Sequence, residues 1–335
     1  MKRLFRDWDR FFFQPQSARV LGIYRIAIGV LTIYSFLLLA KDATAFFSDQ
    51  GVLRVETVDR VYSRHWHTLL AYIRSPFGVK CMLALLFAAG VCFTIGFQTR
   101  VSSIALFVLV TSFHERNNLV LNSGDTVIRT MLFLFMFAPA GAALSVDALR
   151  RRLRSPDPAA CNPMLVAPWA QRMMQLQVAI IYFTTVYAKS RGDLYHNGSA
   201  MYYVFGIVDF SIHGIENLMN YPVLYSALTF ATLFAEIAIS FLIWFRATRP
   251  YAVTLGILLH LWIMWCMVLP VFGVLMIATY LCFFTEEEYE GTMTWLRQRF
   301  GQTRVWRLAE EIPGQLLAAP WFRRLAGRGP QVGQA

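Results

Sequence analysis

Four ionisable side chains interrupt long apolar runs: Arg25 in ARVLGIYRIAIG, Lys189 at the end of QLQVAIIYFTTVYAK, Glu236 in TLFAEIAIS and His260 in LGILLHLWIMW. Charged groups are costly in hydrocarbon, so each needs a partner, a wet cavity or a job to do. Lys189 closes an aromatic-rich helix and is followed by a polar connection containing Gly192 and Gly198. Its long stem lets the ammonium snorkel to the headgroups. Buried away from any carboxylate, a lysine is instead pushed towards the neutral form that can accept a proton. Asp193, a few residues on, is the carboxylate that would hold it charged. Glu236 has no local cation, which points to one across the bundle, with Arg25 the candidate. His260 has no local polar neighbour. It reads either as a core histidine bonded to a carbonyl or as part of a site. Arg129 has Asp125 four residues earlier on the same helix face, the spacing of a local ion pair. Lys189, His260 and the pair Asn117 and Asn118 all come from the outward half or the middle of a span. If they converge, they form an apolar pocket with polar groups, opening outward, able to hold and activate a small acidic molecule.

The elements that must position these residues are membrane spans. The 335 residues are 57% hydrophobic and only 15% charged, too few charges for a soluble domain of this size. The expected fold is all-α: a polytopic transmembrane helical bundle of about eight spans. Residues 1–17, MKRLFRDWDRFFFQPQS, form a basic amphipathic segment suited to the bilayer surface. Spans follow at about 18–40, 77–97, 101–114, 126–144, up to Lys189, 223–245, 251–269 and 271–284, with Pro139 and Gly141 ending the fourth. Pro270 leaves open one kinked helix in place of the last two. Met201–Phe210, in the connection after Lys189, is half apolar and interfacial or re-entrant. The polar connection 41–76 carries His65 and His67, and residues 285–335 form a basic tail. Ala43-Thr44-Ala45 resembles a signal cleavage site, but Arg25 and the long basic leader argue against cleavage.

The net charge of +11 lies mainly in segments flanking spans, so it is an orientation signal and no nucleic-acid partner is expected. Arg3, Arg6, Arg100, the cluster Arg150–Arg152 with Arg154, Arg172, Arg246, Arg249 and the tail arginines share one side. The rule that basic loops stay inside places both termini in the cytoplasm, with Lys189 facing out. Cys81, Cys92, Cys161, Cys266 and Cys282 form no CxxC pair and no Cys/His ligand spacing, so neither a metal nor a disulfide framework is expected.

In this setting several stretches resemble one family. ARVLGIYRIAIG with Arg25, the turn GFQTRVS with Arg100, Asn117-Asn118, SVDAL at 145–149, IYFTTVYAK ending at Lys189, Glu236 in span six and His260 in span seven occur in the order and spacing of the membrane portion of vitamin K-dependent gamma-carboxylase, the group called the HTTM domain. The resemblance runs through about 18–284. It implies a reduced quinone of the vitamin K or menaquinone type as cofactor, with Lys189 as base and His260 as the second catalytic residue. It further implies Asn117, Asn118, Tyr182, Glu236 and Arg25 as the quinone-binding set, and carboxylase- or epoxidase-like chemistry. The expected setting is a bacterial inner membrane, with lipids, quinone and a secreted peptide or protein substrate as partners. Some positions depart from the family. Leu119 stands where it has a histidine after Asn-Asn, Met264 and Trp265 lie where an asparagine follows the span-seven histidine, and the large lumenal part is missing. These departures resemble the short members, such as sporulation-delaying protein B, and imply the alternative of a non-catalytic lipid- or peptide-binding accessory in peptide maturation or export.

Overall fold

Four of the long helices open on a proline in their first turn, at Pro76, Pro222, Pro250 and Pro270, where the missing N–H has no intrahelical partner to lose. The computed structural model describes residues 2–61, 68–154, 164–207, 215–267 and 269–303. In chain order the helices are α1 (Lys2–Phe13), α2 (Arg19–Ala40), α3 (Ala43–Phe47), α4 (Val55–Val61), α5 (Pro76–Ile95), α6 (Thr99–Arg116), α7 (Ser123–Phe137), α8 (Val146–Arg154), α9 (Trp169–Lys189), α10 (Asp193–His196), α11 (Ala200–Gly206), α12 (Pro222–Leu242), α13 (Arg249–Cys266), α14 (Pro270–Thr279) and α15 (Glu286–Phe300). A 3-10 turn over Tyr280–Phe283 continues α14. The one sheet among the described residues is a two-residue antiparallel pair, β1 (Gln16–Ser17) with β2 (Leu165–Val166). His65, His67, Cys161, residues 208–210 of the half-apolar connection and the tail arginines from Arg304 onward lie outside the described residues.

Helices stand at all eight positions where spans are expected. Three of them, α2, α5 and α12, are long and apolar enough to cross a bilayer on their own. Pro270–Phe283 and α15 pass that test together, but bend by 115° at the break between them. The fourth expected span is shorter than its apolar run. α7 stops at Phe137, and 138–145 is a turn in which Leu144 adopts a positive φ of 49°. Pro139 cannot continue the ladder, and Arg25 takes the carbonyls that the turn leaves free, as described below. The seventh helix ends at Cys266, ahead of Pro270, so the last two stretches are separate helices and not one kinked one.

Packing follows chain order in two runs. α2 lies on α5, α5 on α6 and α6 on α7; then α9 lies on α12, α12 on α13 and α13 on α14. α14 packs against α2 and α7, and α7 against α9, which closes the two runs around one core. Tyr24, Phe93 and Phe135 interlock there, with ring centroids 5.4 Å apart in each adjacent pair. Outward-facing Phe230, Phe234 and Phe241 of α12 stay exposed, which suits a lipid-facing surface.

The basic end is clasped by acidic residues. α15 starts with a capping box, Thr285 with Glu288. Its first turns then bind Arg19 through Glu286 and Glu290 (2.7 and 2.8 Å), Arg249 through Glu288 (3.3 Å), and Arg246 through Glu287. α1 returns onto α9, where Arg172 donates to the Phe11 carbonyl and its guanidinium sits 4.5 Å from the centroid of the Phe11 ring. Leu4, Phe5 and Trp8 of α1 remain exposed.

Candidate functional site

α9 and α12 are direct neighbours, so the lysine ending one can meet a carboxylate inside the other. Lys189 Nζ donates to Glu236 Oε1 at 2.6 Å. The lysine side chain is 23% exposed and the glutamate 8%. The Tyr195 ring lies beside the ammonium, its centroid 5.6 Å from Nζ. Two expectations are corrected here. Lys189 is not free of carboxylates, and its partner is Glu236, not Asp193. Glu236 finds its cation across the bundle, but that cation is Lys189 and not Arg25, whose two terminal nitrogens donate to backbone carbonyls.

Tyr182 stands seven residues before Lys189, on the same face of α9 two turns back. Its hydroxyl lies 2.6 Å from His260 Nε2 on α13 and 2.5 Å from the Tyr280 hydroxyl, where α14 passes into the 3-10 turn. All three residues are buried. Gly256, one turn before His260, makes room for this arrangement: a Cβ there would lie 2.0 Å from the Tyr280 hydroxyl oxygen. Phe272 packs against the imidazole, edge to face at 5.6 Å. His260 is thus bonded to a phenol rather than to a main-chain carbonyl.

The ion pair and the phenol–imidazole chain lie along one face of α9, Lys189 two turns beyond Tyr182, and form one polar unit. Two buried polar atoms of the unit have no partner among the described residues: Glu236 Oε2 and His260 Nδ1. Buried polar atoms are normally satisfied, and an unsatisfied one calls for a ligand, a water or a reactive role. The cluster therefore offers a cation, a carboxylate oxygen and a ring nitrogen, the last two buried and without a partner among the described residues.

Comparison with protein families matches residues 13–287 to the HTTM domain, a segment that contains every residue of this cluster. The chain belongs to the HTTM domain family. No curated protein and no solved structure matches it.

The remaining expected site residues lie elsewhere in the HTTM bundle. Arg25 is fully buried and donates to the carbonyls of Thr94, Ala140, Ala143 and Leu144. Asn117 ends α6: its Nδ2 donates to the Phe46 carbonyl at 2.9 Å, and its Oδ1 accepts from the Leu119 amide at 3.1 Å. Asn118 is exposed in the next turn. The expected local pair of Asp125 and Arg129 is corrected as well. Arg129 binds Glu115 at 2.5 Å, while Asp125 closes the α7 capping box with Asn122 and accepts from Ser35. The capping bond satisfies α7's first N–H groups, which outweighs a surface-type i,i+4 pair.

Three buried polar residues escape a reading of the sequence. Tyr280 sits in MIATYLCFF, where nothing separates it from a packing aromatic. Arg116 is fully buried and binds Asp49 and the Ser48 and Leu53 carbonyls, holding the connection after α3. His114 stacks on Phe36 and lies 3.8 Å from Asp125, with neither ring nitrogen hydrogen-bonded among the described residues.

Proposed function

We propose that this HTTM protein is an integral protein of a bacterial inner membrane, with about eight spans and both termini cytoplasmic, that binds a reduced quinone between α9, α12 and α13 and uses the Lys189–Glu236 pair as its base. The observation that carries the reading is the coincidence, in one buried cluster, of a close ammonium–carboxylate pair and two polar atoms without a partner among the described residues, a carboxylate oxygen and an imidazole nitrogen. The free Glu236 Oε2 accepts from a ligand hydroxyl, and the His260 ring nitrogen bonds a ligand oxygen, a pair that the two oxygens of a hydroquinone ring fit. The sequence resemblance to the carboxylase membrane portion supports the same ligand. When bound, a reduced quinone supplies an acidic hydroxyl and the reducing electrons for carboxylase- or epoxidase-like chemistry with oxygen. The chain's residues move the proton. In the paired state Lys189 Nζ carries three protons and cannot accept another. Passing one across the 2.6 Å contact to Glu236 leaves an amine at Nζ and a neutral acid at Glu236. The amine then takes a proton from the ligand hydroxyl, and the restored ammonium faces the charge left behind.

The test is turnover. Protein in nanodiscs is incubated with reduced menaquinone or vitamin K, oxygen, carbonate and a glutamate-containing peptide, and the epoxide is followed. Wild type is expected to turn over, and Lys189→Ala and Lys189→Arg to lose activity, since arginine does not give up its proton. Undiminished turnover in Lys189→Ala removes Lys189 as the base. A second reading rests on the closeness of the ion pair, which a purely structural role explains. It makes the protein a non-catalytic accessory that binds a lipid or a secreted peptide for maturation or export. A bound lipid without turnover in any form selects that reading.

Orientation has its own measurement. In a background without native cysteines, Asp193→Cys in α10 is expected to react with an impermeant thiol reagent on intact cells. Gln302→Cys after α15 is expected not to. The reverse pattern overturns the assignment from loop charge.

A further inference from the structure

We infer that Tyr280 and Tyr182 form a one-way hydrogen-bond chain that fixes His260 in the Nδ1-protonated tautomer, so that the ring nitrogen left without a partner is a donor. The inference concerns residues behind the proposed ligand site and rests on that reading only for what the donor then meets.

Three atoms share the protons that set the tautomer. Tyr182's hydroxyl contacts Tyr280's hydroxyl and His260 Nε2, and nothing else among the described residues is bonded to any of the three. If the protons run from Tyr280 to Tyr182 to Nε2, both hydroxyl protons are used, and the imidazole proton must sit on Nδ1. If they run the other way, Nε2–H donates to Tyr182 and Tyr182 to Tyr280, whose own proton is then buried against the α13 backbone at Gly256 with no acceptor. If both neighbours donate to Tyr182, the Tyr182 proton is stranded. A phenol is a stronger acid than a neutral imidazole N–H, and an imidazole nitrogen is a better acceptor than a phenol oxygen. The first direction leaves the Nδ1 proton, and the second the Tyr280 proton, without an acceptor among the described residues, so bond strength decides between them, and the first direction has the stronger bonds. Its bonds also reinforce one another, because a hydroxyl that accepts a hydrogen bond donates a better one. The close approach of Tyr280 to α13, which only a glycine at 256 admits, keeps the first link short.

This makes Tyr182 and Tyr280 positioning residues. His260 presents Nδ1–H, a donor able to hold a ligand carbonyl or oxyanion, while Glu236 Oε2 presents an acceptor. The ligand the pair fits carries one hydroxyl and one oxygen acceptor.

The readout is the 15N spectrum of histidine-labelled full-length protein in nanodiscs, with His260 assigned by its loss in His260→Asn. Wild type is expected to show a protonated Nδ1 and an unprotonated, hydrogen-bonded Nε2. In Tyr182→Phe the bond that holds the tautomer is gone, and the signal is expected to move towards the Nε2-protonated form. In Tyr280→Phe the tautomer is expected to persist with a weaker bond at Nε2, seen as a shift of that nitrogen towards its unbonded value. An Nε2-protonated wild type, or a tautomer unmoved in Tyr182→Phe, overturns the inference. Menadiol titration forms a separate arm. Binding is expected to weaken several-fold in Tyr182→Phe and to survive better in His260→Asn, whose amide N–H takes the place of Nδ1–H, than in His260→Ala. Equal binding by all four proteins overturns the donor role. If menadiol binds none of them, the quinone reading fails while the nitrogen spectrum still decides the tautomer.

Discussion

Replacing Lys189 with methionine is expected to cost more folded protein than replacing Glu236 with glutamine, and replacing both is expected to recover part of the loss. The asymmetry follows from exposure. Removing the lysine leaves a carboxylate that is only 8% exposed and has no other partner among the described residues. Removing the glutamate's charge leaves an ammonium that is 23% exposed, on a stem long enough to reach water. A buried charge stripped of its partner costs on the order of 3–5 kcal/mol. Lys189→Met belongs near the lower end of that range, because Glu236 can take up a proton instead of remaining charged. Glu236→Gln keeps an oxygen that can still accept from Nζ, so about 1 kcal/mol is expected. In the double variant neither charge is left alone, so the losses should fall short of the sum by more than the roughly 0.5 kcal/mol scatter of independent sites. The measurement is the temperature at which detergent-solubilised protein loses monodispersity, compared at one heating rate because the loss is irreversible. Strictly additive losses would mean that the two side chains do not share their charge energy, and the composite base would lose its foundation.

The same pair shows what a sequence can and cannot say about a membrane site. That Lys189, Glu236 and His260 need partners is legible from the cost of charge in hydrocarbon. The partners themselves are not, because they depend on which helices become neighbours. α9 packs on α12, and this puts Glu236 in front of Lys189; Arg25 reads as an equally good partner until the turn after α7 is seen to need it. Tyr280 was hidden for another reason, and Tyr182 stood out only through the family resemblance. In a chain this rich in Phe, Tyr and Trp, a phenol that does chemistry has the same neighbours as one that packs. What distinguishes Tyr280 is the missing side chain at Gly256, on another helix, one turn from His260.

The helices were more legible than the site. Apolar runs bounded by Pro76, Pro222 and Pro270 place helix starts to within a residue or two, since proline marks them locally. Ends set by long-range contacts were less readable. The fourth apolar run continues to Leu144, but α7 stops at Phe137 because Pro139 breaks the ladder and Arg25 from α2 donates to the carbonyls left exposed. The cap on α6 is also distant: Asp147 of α8 accepts from the Gln98 and Thr99 amides at 2.9 and 2.7 Å, a bond that no local motif announces.

That knot at the basic end supports the second large effect. Arg25→Lys is expected to destabilise the protein nearly as much as Arg25→Met, by roughly 2–3 kcal/mol, the range of a lost hydrogen bond to a charged group with its buried acceptor left unpaired. The guanidinium reaches two segments at once. Nη1 donates to Ala140 (2.6 Å) and Ala143 (3.4 Å), and Nη2 to Leu144 (2.6 Å) and Thr94 (3.3 Å). A lysine ammonium is a single point and cannot span that fork, so a conserved charge does not conserve the function. Gly96 fixes the geometry. It ends α5 at φ 70°, and a Cβ there would come within 2.8 Å of Arg25 Nη1 and 2.3 Å of the Ser145 Cβ. Gly96→Ala should therefore strain the same turn by two routes, backbone and contact. Hydrogen exchange reads this directly: in Arg25→Lys, amides of 94–99 and 138–147 are expected to exchange faster, while those around Tyr182 and His260 keep their rates. If Arg25 served a bound ligand and not the turn, exchange in the ligand-free protein would be unchanged in both segments. Unchanged rates there would remove Arg25 from the architecture of the bundle and return it to the search for a site.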